Sequence, residues 1–497
     1  MAINGVTIGN YILGQSTRNL TDQLGSLQTQ LASGKKSTTY AGMGVNEGFA
    51  IAARAQLSNI SAFTDTITKI NTTIGVANTA LQSLVTIGNQ AKSAAASGSQ
   101  TIGSGGQTIA QQSAVAQLST ALGILNTQSG DRYIFSGSAI DTEPVASADQ
   151  ILNGSVAAAG LKTVIAERQQ ADLGTDGLGR VAITQPTATS VSIAEDVAGS
   201  PFGLKLYAIN SSLTGATVSG PTGTPAAVSV DLGTTNPNSG DKISFSFNLP
   251  DNTTESISLT ASSATPTPAG SFAIGATPTA TAANLNAAVN AAVGTLAKTS
   301  LVAASAIQAS NNFFGAPPLR VGGAPLGSAT SLVAGTAANT VSWYKGEAGS
   351  GPARASSSAR IDQSINVQFG ARANEDGIRN QLQAIATFAA VTTSPTDVNA
   401  AAQVAALSQR VTQGLSSKPG VQGITDIQAD FSAAQVTIGD AKARQTQTQS
   451  VLQGIVDQAE NVSPSEVATQ ILALQTALSA SYQTTATLSQ LTLTKYL

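Results

Sequence analysis

At 497 residues the chain is long enough for several domains. It contains no cysteine and no histidine, which excludes disulfides, thiol nucleophiles and serine–histidine or cysteine–histidine catalysis, and removes the commonest metal ligand. Charged residues make up 10%, the net charge is −3 and the 24 Lys and Arg form no basic run, so nucleic acid is not an expected partner; a hydrophobic share of 41% argues against disorder.

Leu13, Leu20, Leu24, Leu27 and Leu31 fall at steps of seven, four, three and four residues, which places them on one face of an N-terminal helix. The opening residues lack the basic start and apolar run of a secretory signal peptide, so general-pathway secretion is not expected. Ser33 to Gly44, rich in glycine and hydroxyl residues, ends that helix in a loop. A longer helix follows through Ile51, Leu57, Ile60, Phe63, Ile67, Ile70, Ile74, Leu81, Leu84 and Ile87. Glycines between 98 and 106 turn it into a returning helix marked by Ile109, Val115, Leu118, Leu122 and Leu125.

Tyr133, Ile134 and Phe135 read as a short strand, and from there to about residue 350 helical periodicity lapses. Asp172 and Asp176, within a Gly-rich stretch, are the best candidates for a paired-carboxylate or calcium site, but the ligand alternation of a calcium loop is missing. The stretch therefore reads as a turn, and no metal, cofactor or catalytic residue is expected. Ile243, Phe245, Phe247 and Leu249 alternate with polar residues, Pro250, Asp251 and Asn252 supply a turn, and Ile257 and Leu259 alternate again, which predicts a β-hairpin. Residues 284–298 form its one expected companion helix, with Leu285, Val289 and Leu296 on one face.

Ile361 to Phe369 alternates as a strand. Asn374 is the expected N-cap of a helix carrying Ile378, Leu382, Ile385 and Phe388. Val404, Leu407 and Val411 mark another helix, and Ile424, Ile427, Phe431, Ile438, Val451 and Ile455 mark a third. Ser463, Pro464 and Glu466 then open the last helix with a capping box. Its stripe runs through Val467, Ile471, Leu474, Leu478 and then Leu488. From Val467 to Thr494 no residue is charged, yet Gln470, Gln475, Gln483 and Gln490 interrupt the run, so a packed helix is expected and no membrane insertion.

Stripes this narrow need a partner helix, and the simplest partner for one end of the chain is the other. The expected fold is mainly α: N- and C-terminal helices paired as a coiled-coil or helical-bundle stem, with a β-rich (α+β) central insert as outer domain. The expected division is 1–36 with 464–497 as the inner pair, 37–145 with 355–463 as a helical bundle with short β elements, and 146–354 as the insert.

Several segments resemble the bacterial flagellin superfamily, which includes the flagellar filament subunit and the hook-filament junction protein. Leu27 to Lys36 is similar to the family's leucine helix ending in Ser-Gly and a basic residue. Ala50 to Arg54 resembles the segment after it, without the acidic pair many members carry. Ala477 to Tyr482 and Leu488 to Leu493 resemble the family's C-terminus. Arg132 to Gly137, Trp343 to Gly346 and Val367 to Glu375 look more like the junction protein.

The resemblance implies a non-enzymatic, extracellular structural subunit of the bacterial flagellum that assembles into a homo-polymer after unfolded export. It implies hook, junction and cap proteins and an export chaperone as partners, and no cofactor. The polymer-core interface it implies comprises Leu13, Leu20, Leu24, Leu27, Leu31, Val467, Ile471, Leu474, Leu478, Tyr482, Leu488 and Leu491. A filament subunit is the expected member, the hook-filament junction protein the alternative, and a surface adhesin on a helical stem a further one.

Overall fold

The computed structural model describes residues 3–98 and 101–494, and the side chains of 3–10, 488, 489 and 491–494 lie outside that description. In chain order, α1 (Ile3–Ser33) is followed by a 3-10 turn at Tyr40–Asn46, then α2 (Glu47–Ser97) and α3 (Ile109–Leu125). The short strands β1 (Gln128–Ser129) and β2 (Arg132–Tyr133) lead to α4 (Ala148–Asn153) and α5 (Leu161–Leu173). Next come β3 (Val181–Thr184), β4 (Ser190–Glu195), β5 (Lys205–Ser211), β6 (Thr217–Thr222), β7 (Ala227–Asp231), β8 (Lys242–Asn248), β9 (Thr254–Ser262) and β10 (Ser271–Ala273). After them α6 (Pro278–Leu296) passes through a π turn into α7 (Val302–Phe313), followed by β11 (Leu319–Gly322) and β12 (Ser331–Ala334). The chain closes with β13 (Ser358–Arg360), β14 (Asn366–Gln368), α8 (Asp376–Ala390), α9 (Ala400–Gly414), α10 (Ile424–Glu460) and α11 (Pro464–Thr494).

These elements form two compact units, one of Met1–Asn71, Ala359–Val367 and Gln435–Leu497, the other of Thr72–Ser358 and Gln368–Ala434. In the first, α1 packs along α11, so the two ends of the chain are paired. Within the same unit Ala53, Leu452 and Val456 form a small core, with Leu57 and Ile60 against it. The stripe on α10 is one residue out of the expected phase there: Leu452 and Val456 are buried, whereas Val451 and Ile455 face outward.

In the second unit the expected hairpin is present, Phe245 facing Ile257 and Phe247 facing Glu255 across β8 and β9, with Asn252 in the turn at φ 63°. Asparagine tolerates that left-handed conformation better than most residues. Two four-stranded sheets, in the orders β3-β4-β7-β6 and β10-β9-β8-β5, share one core with α6. Val191, Ile193, Val228, Val230, Ile243, Phe245, Phe247 and Phe272 meet Leu285, Val289 and Val293 there. The continuous run Pro278–Phe313 is the one described helix long and apolar enough to cross a membrane, and these side chains put it in a protein core.

The insert holds four helices, not one. The face of α5 that is buried comprises Leu161, Val164, Ile165, Arg168, Ala171 and Asp172, a helical stripe in which two charges occupy core positions. Three further details depart from the sequence reading. The strand at Tyr133 stops there, because Ile134 and Phe135 turn into the core. The N-cap of α8 is Glu375, not Asn374, and its carboxylate is held by Arg354 instead of closing a cap. Residues Ile361 to Phe369 contain the turn of the β13–β14 hairpin, not one continuous strand.

Candidate functional site

The α1–α11 pair is the site the sequence singles out. On α1 the half-buried positions are Leu13, Thr17, Leu20, Leu24, Leu27 and Gln30; on α11 Val467 and Ile471 are buried, with Leu474, Leu478 and Ser481 half-buried. The steps are four, three, four, three and three on α1 and four, three, four and three on α11, the spacing of a two-helix seam. Leu31 is 42% exposed and Tyr482 55% exposed, so both lie beside the seam, not in it. The last half-buried position on α1 is Gln30, three residues after Leu27, and Leu31 next to it faces outward. The side chains of Leu488 and Leu491 lie outside the described residues.

Besides Gln30, two seam members carry no apolar signal. Thr17 Oγ1 and Ser481 Oγ approach to 3.2 Å, and Thr17 also donates to Leu13 O at 2.9 Å. Each hydroxyl thus finds a partner inside an otherwise aliphatic strip, which avoids the cost of an unmade bond. The signal that identifies them is position alone: each falls on the three–four spacing of its neighbours. Outside the strip the pair leaves Tyr11, Ile12, Leu31, Leu472 and Tyr482 uncovered within this copy.

At the base of the pair a joint ties four segments of the same unit. Gly34 ends α1 at φ 69°, where a side chain would be strained, and its carbonyl accepts from Val462 N at 3.0 Å. Lys36 N donates to Glu460 O at 2.7 Å, and Lys35 pairs with Asn461 as an antiparallel bridge. Arg54 grips Glu460 with two bonds, Nε to Oε1 at 2.7 Å and Nη2 to Oε2 at 2.6 Å, with Lys35 Nζ 4.0 Å away. These contacts hold the Glu460 carboxyl below the usual carboxylate range, the Arg54 hydrogen bonds first, against the opposing effect of desolvation.

In the second unit the stretches at residues 135–137, 343–347 and 371–373 meet. Gly137 N donates to Ala371 O at 3.0 Å, Ala373 N to Phe135 O at 2.8 Å, Glu347 N to Ser136 O at 2.9 Å and Lys345 N to Pro144 O at 2.8 Å. The three stretches are therefore one backbone-linked module. The Tyr344 phenol at its centre is pushed up to about 12 by burial, reinforced by Glu347 and Glu375 and opposed by the Arg372 charge.

The carboxylates flagged in the insert are not a pair. Asp172 is fully buried and accepts from Arg168 Nε at 2.7 Å and Gly203 N at 2.9 Å, whereas Asp176 lies at the surface beside Thr175. Burial raises the Asp172 pKa against the pull of Arg168. Arg168 also donates to Pro201 O at 2.7 Å and lies 4.8 Å from the Phe202 ring centre, so the group ties α5 to the following loop. No group of three or more His, Cys, Asp or Glu side chains able to hold a metal occurs among the described residues.

A cleft of about 570 Å³ in the same unit is lined by Asn89, Lys92, Ser310, Gln381, Arg410 and Lys418 among others. The Arg410 guanidinium is already committed, to Asp251 at 2.8 Å, Thr253 at 3.2 Å and Glu255 at 3.3 Å.

No protein-family model matches the chain, and no curated protein matches it.

Proposed function

We propose that this protein is a structural subunit that self-assembles into a filament of the flagellin kind, with the α1–α11 pair as its polymer-core stem. One observation carries the reading: the two ends pair through a single seam, yet the pair leaves Tyr11, Ile12, Leu31, Leu472 and Tyr482 exposed. Five large apolar side chains on a two-helix stem are costly in water and become favourable when copies pack side by side. Composition supports the same reading, since after Glu466 the exposed positions of α11 other than Leu472 and Tyr482 are Gln, Ser, Thr and Ala, which bury at lower cost than Lys or Glu. The resemblance of both ends to the flagellin superfamily agrees with it.

A second reading, a hook-filament junction protein, draws support from the backbone-linked module of residues 133–146, 343–347 and 371–373. Electron microscopy of purified protein after nucleated growth separates the two. Long tubes support the filament subunit, short oligomers that do not grow support the junction piece, and a monomer under all conditions overturns both.

A further inference from the structure

On the outer side of α1, Gly14, Arg18, Asp22 and Gly25 succeed one another at steps of four, four and three, which puts them along one ridge of the helix. Arg18 and Asp22 are the only charged residues between Met1 and Gly34, and α11 carries none from Val467 to Thr494. Both side chains are exposed, and among the described residues neither forms an ion pair. A Cβ built on Gly14 or Gly25 meets nothing within 4 Å, so the ridge is open at both sides of the charges. Glycine inside a helix is unfavourable unless the space it leaves is used, typically by close approach of another backbone.

We infer that this ridge is a contact between copies, in which Arg18 of one copy pairs with Asp22 of the next while Gly14 and Gly25 let the two helices approach. The inference rests on the self-assembly proposed above and specifies its partner: a second copy of α1 presenting the same ridge. A lone charge enclosed in an uncharged stem is strongly disfavoured unless a partner of opposite sign comes with it. One residue of each sign, a turn apart, makes the ridge complementary to itself. The order, Arg before Asp, is the less favourable one for a pair within a helix, which leaves both groups free for partners in another chain.

The test uses two full-length single variants. Arg18→Asp gives the ridge two carboxylates and Asp22→Arg gives it two guanidiniums, each at an exposed position, so circular dichroism of the monomers should match wild type. Each variant alone should need at least roughly a tenfold higher protein concentration to assemble than wild type, because like charges meet. An equimolar mixture should assemble near the wild-type concentration, because carboxylate copies then alternate with guanidinium copies. A mixture that stays unassembled overturns the inference; if the double variant Arg18→Asp/Asp22→Arg then assembles, the pair forms within one copy. Assembly of either single variant at the wild-type concentration also overturns it. Wild type failing to assemble in the same buffer instead counts against the proposed function.

Discussion

Thr17 and Ser481, 464 residues apart in sequence, bring their side-chain oxygens to 3.2 Å in the seam between α1 and α11. The contact ties the two ends of the chain together at a position where an aliphatic pair would pack as well. Removing one hydroxyl leaves the other facing aliphatic side chains without its partner, whereas removing both leaves a uniform apolar strip. We expect Thr17→Val to cost about 1 kcal/mol and Thr17→Val/Ser481→Ala to cost less than the sum of the single changes. A double-mutant cycle in urea, followed by helical circular dichroism, measures the coupling. Strict additivity would show that the hydroxyls do not interact.

Glu460 gathers Arg54, Lys35 and the backbone of Lys36 at the base of the pair. A carboxyl with a lowered folded pKa contributes stability that is present above its unfolded value, near ~4.3, and lost as pH falls through the folded value. The first unit should therefore loosen on acidification below that range. Glu460→Gln should remove this part of the pH dependence and, with Arg54 half exposed and screened, cost about 1 kcal/mol at neutral pH. Thermal unfolding of both proteins between pH 2 and 7 checks it, since parallel curves would assign the acid response to other carboxyls.

Asp172 neutralises Arg168 in a place where neither reaches water. Breaking a buried pair from one side strands the other charge, so Asp172→Asn should cost about 3–5 kcal/mol. Replacing both, as Arg168→Met/Asp172→Leu, should cost less than the single change although it removes more hydrogen bonds. Urea midpoints of the three proteins decide the matter, and a double variant worse than Asp172→Asn would mean that the bonds to Pro201 and Gly203 dominate.

Among the described residues, Tyr344 is the tyrosine whose phenol is held up to about 12. A group whose folded pKa is raised stabilises the fold below its unfolded value, near ~10, and loses that contribution as pH rises through the folded one. An ultraviolet titration of the phenolate band should show one residue ionising late, and Tyr344→Phe should abolish that late step. A late step that persists in the variant would belong to another tyrosine.

Much of the fold is legible in the sequence because long helices repeat their apolar residues. Leu382, Ile385 and Phe388 on α8, and Val404, Leu407 and Val411 on α9, are buried at the spacing they display. The β8–β9 hairpin is equally plain from its alternation and its Pro-Asp-Asn turn. What stays hidden is polar chemistry in apolar places. On α5, Arg168 and Asp172 hold core positions and interrupt the stripe that would reveal the helix. In the seam, Thr17 and Ser481 read as surface residues until their spacing is set beside the leucines. Arg410 and Asp251, 159 residues apart, form a buried pair between α9 and the hairpin turn that local patterns do not announce. The phase of α10 is also ambiguous, since Val451 and Leu452, like Ile455 and Val456, are adjacent apolar pairs and only packing selects one of each.

The central claim is that exposed apolar side chains on the paired ends are there to be covered by other copies. The most direct measurement is nucleated growth, scored by sedimentation and electron microscopy, of a variant in which Ile12, Leu31, Leu472 and Tyr482 are all changed to Ser. All four are exposed in the single copy, so the variant should keep the helical circular dichroism and thermal unfolding of wild type. The account predicts that it remains monomeric under conditions in which wild type forms filaments. Filaments of normal length and yield from this variant would contradict it.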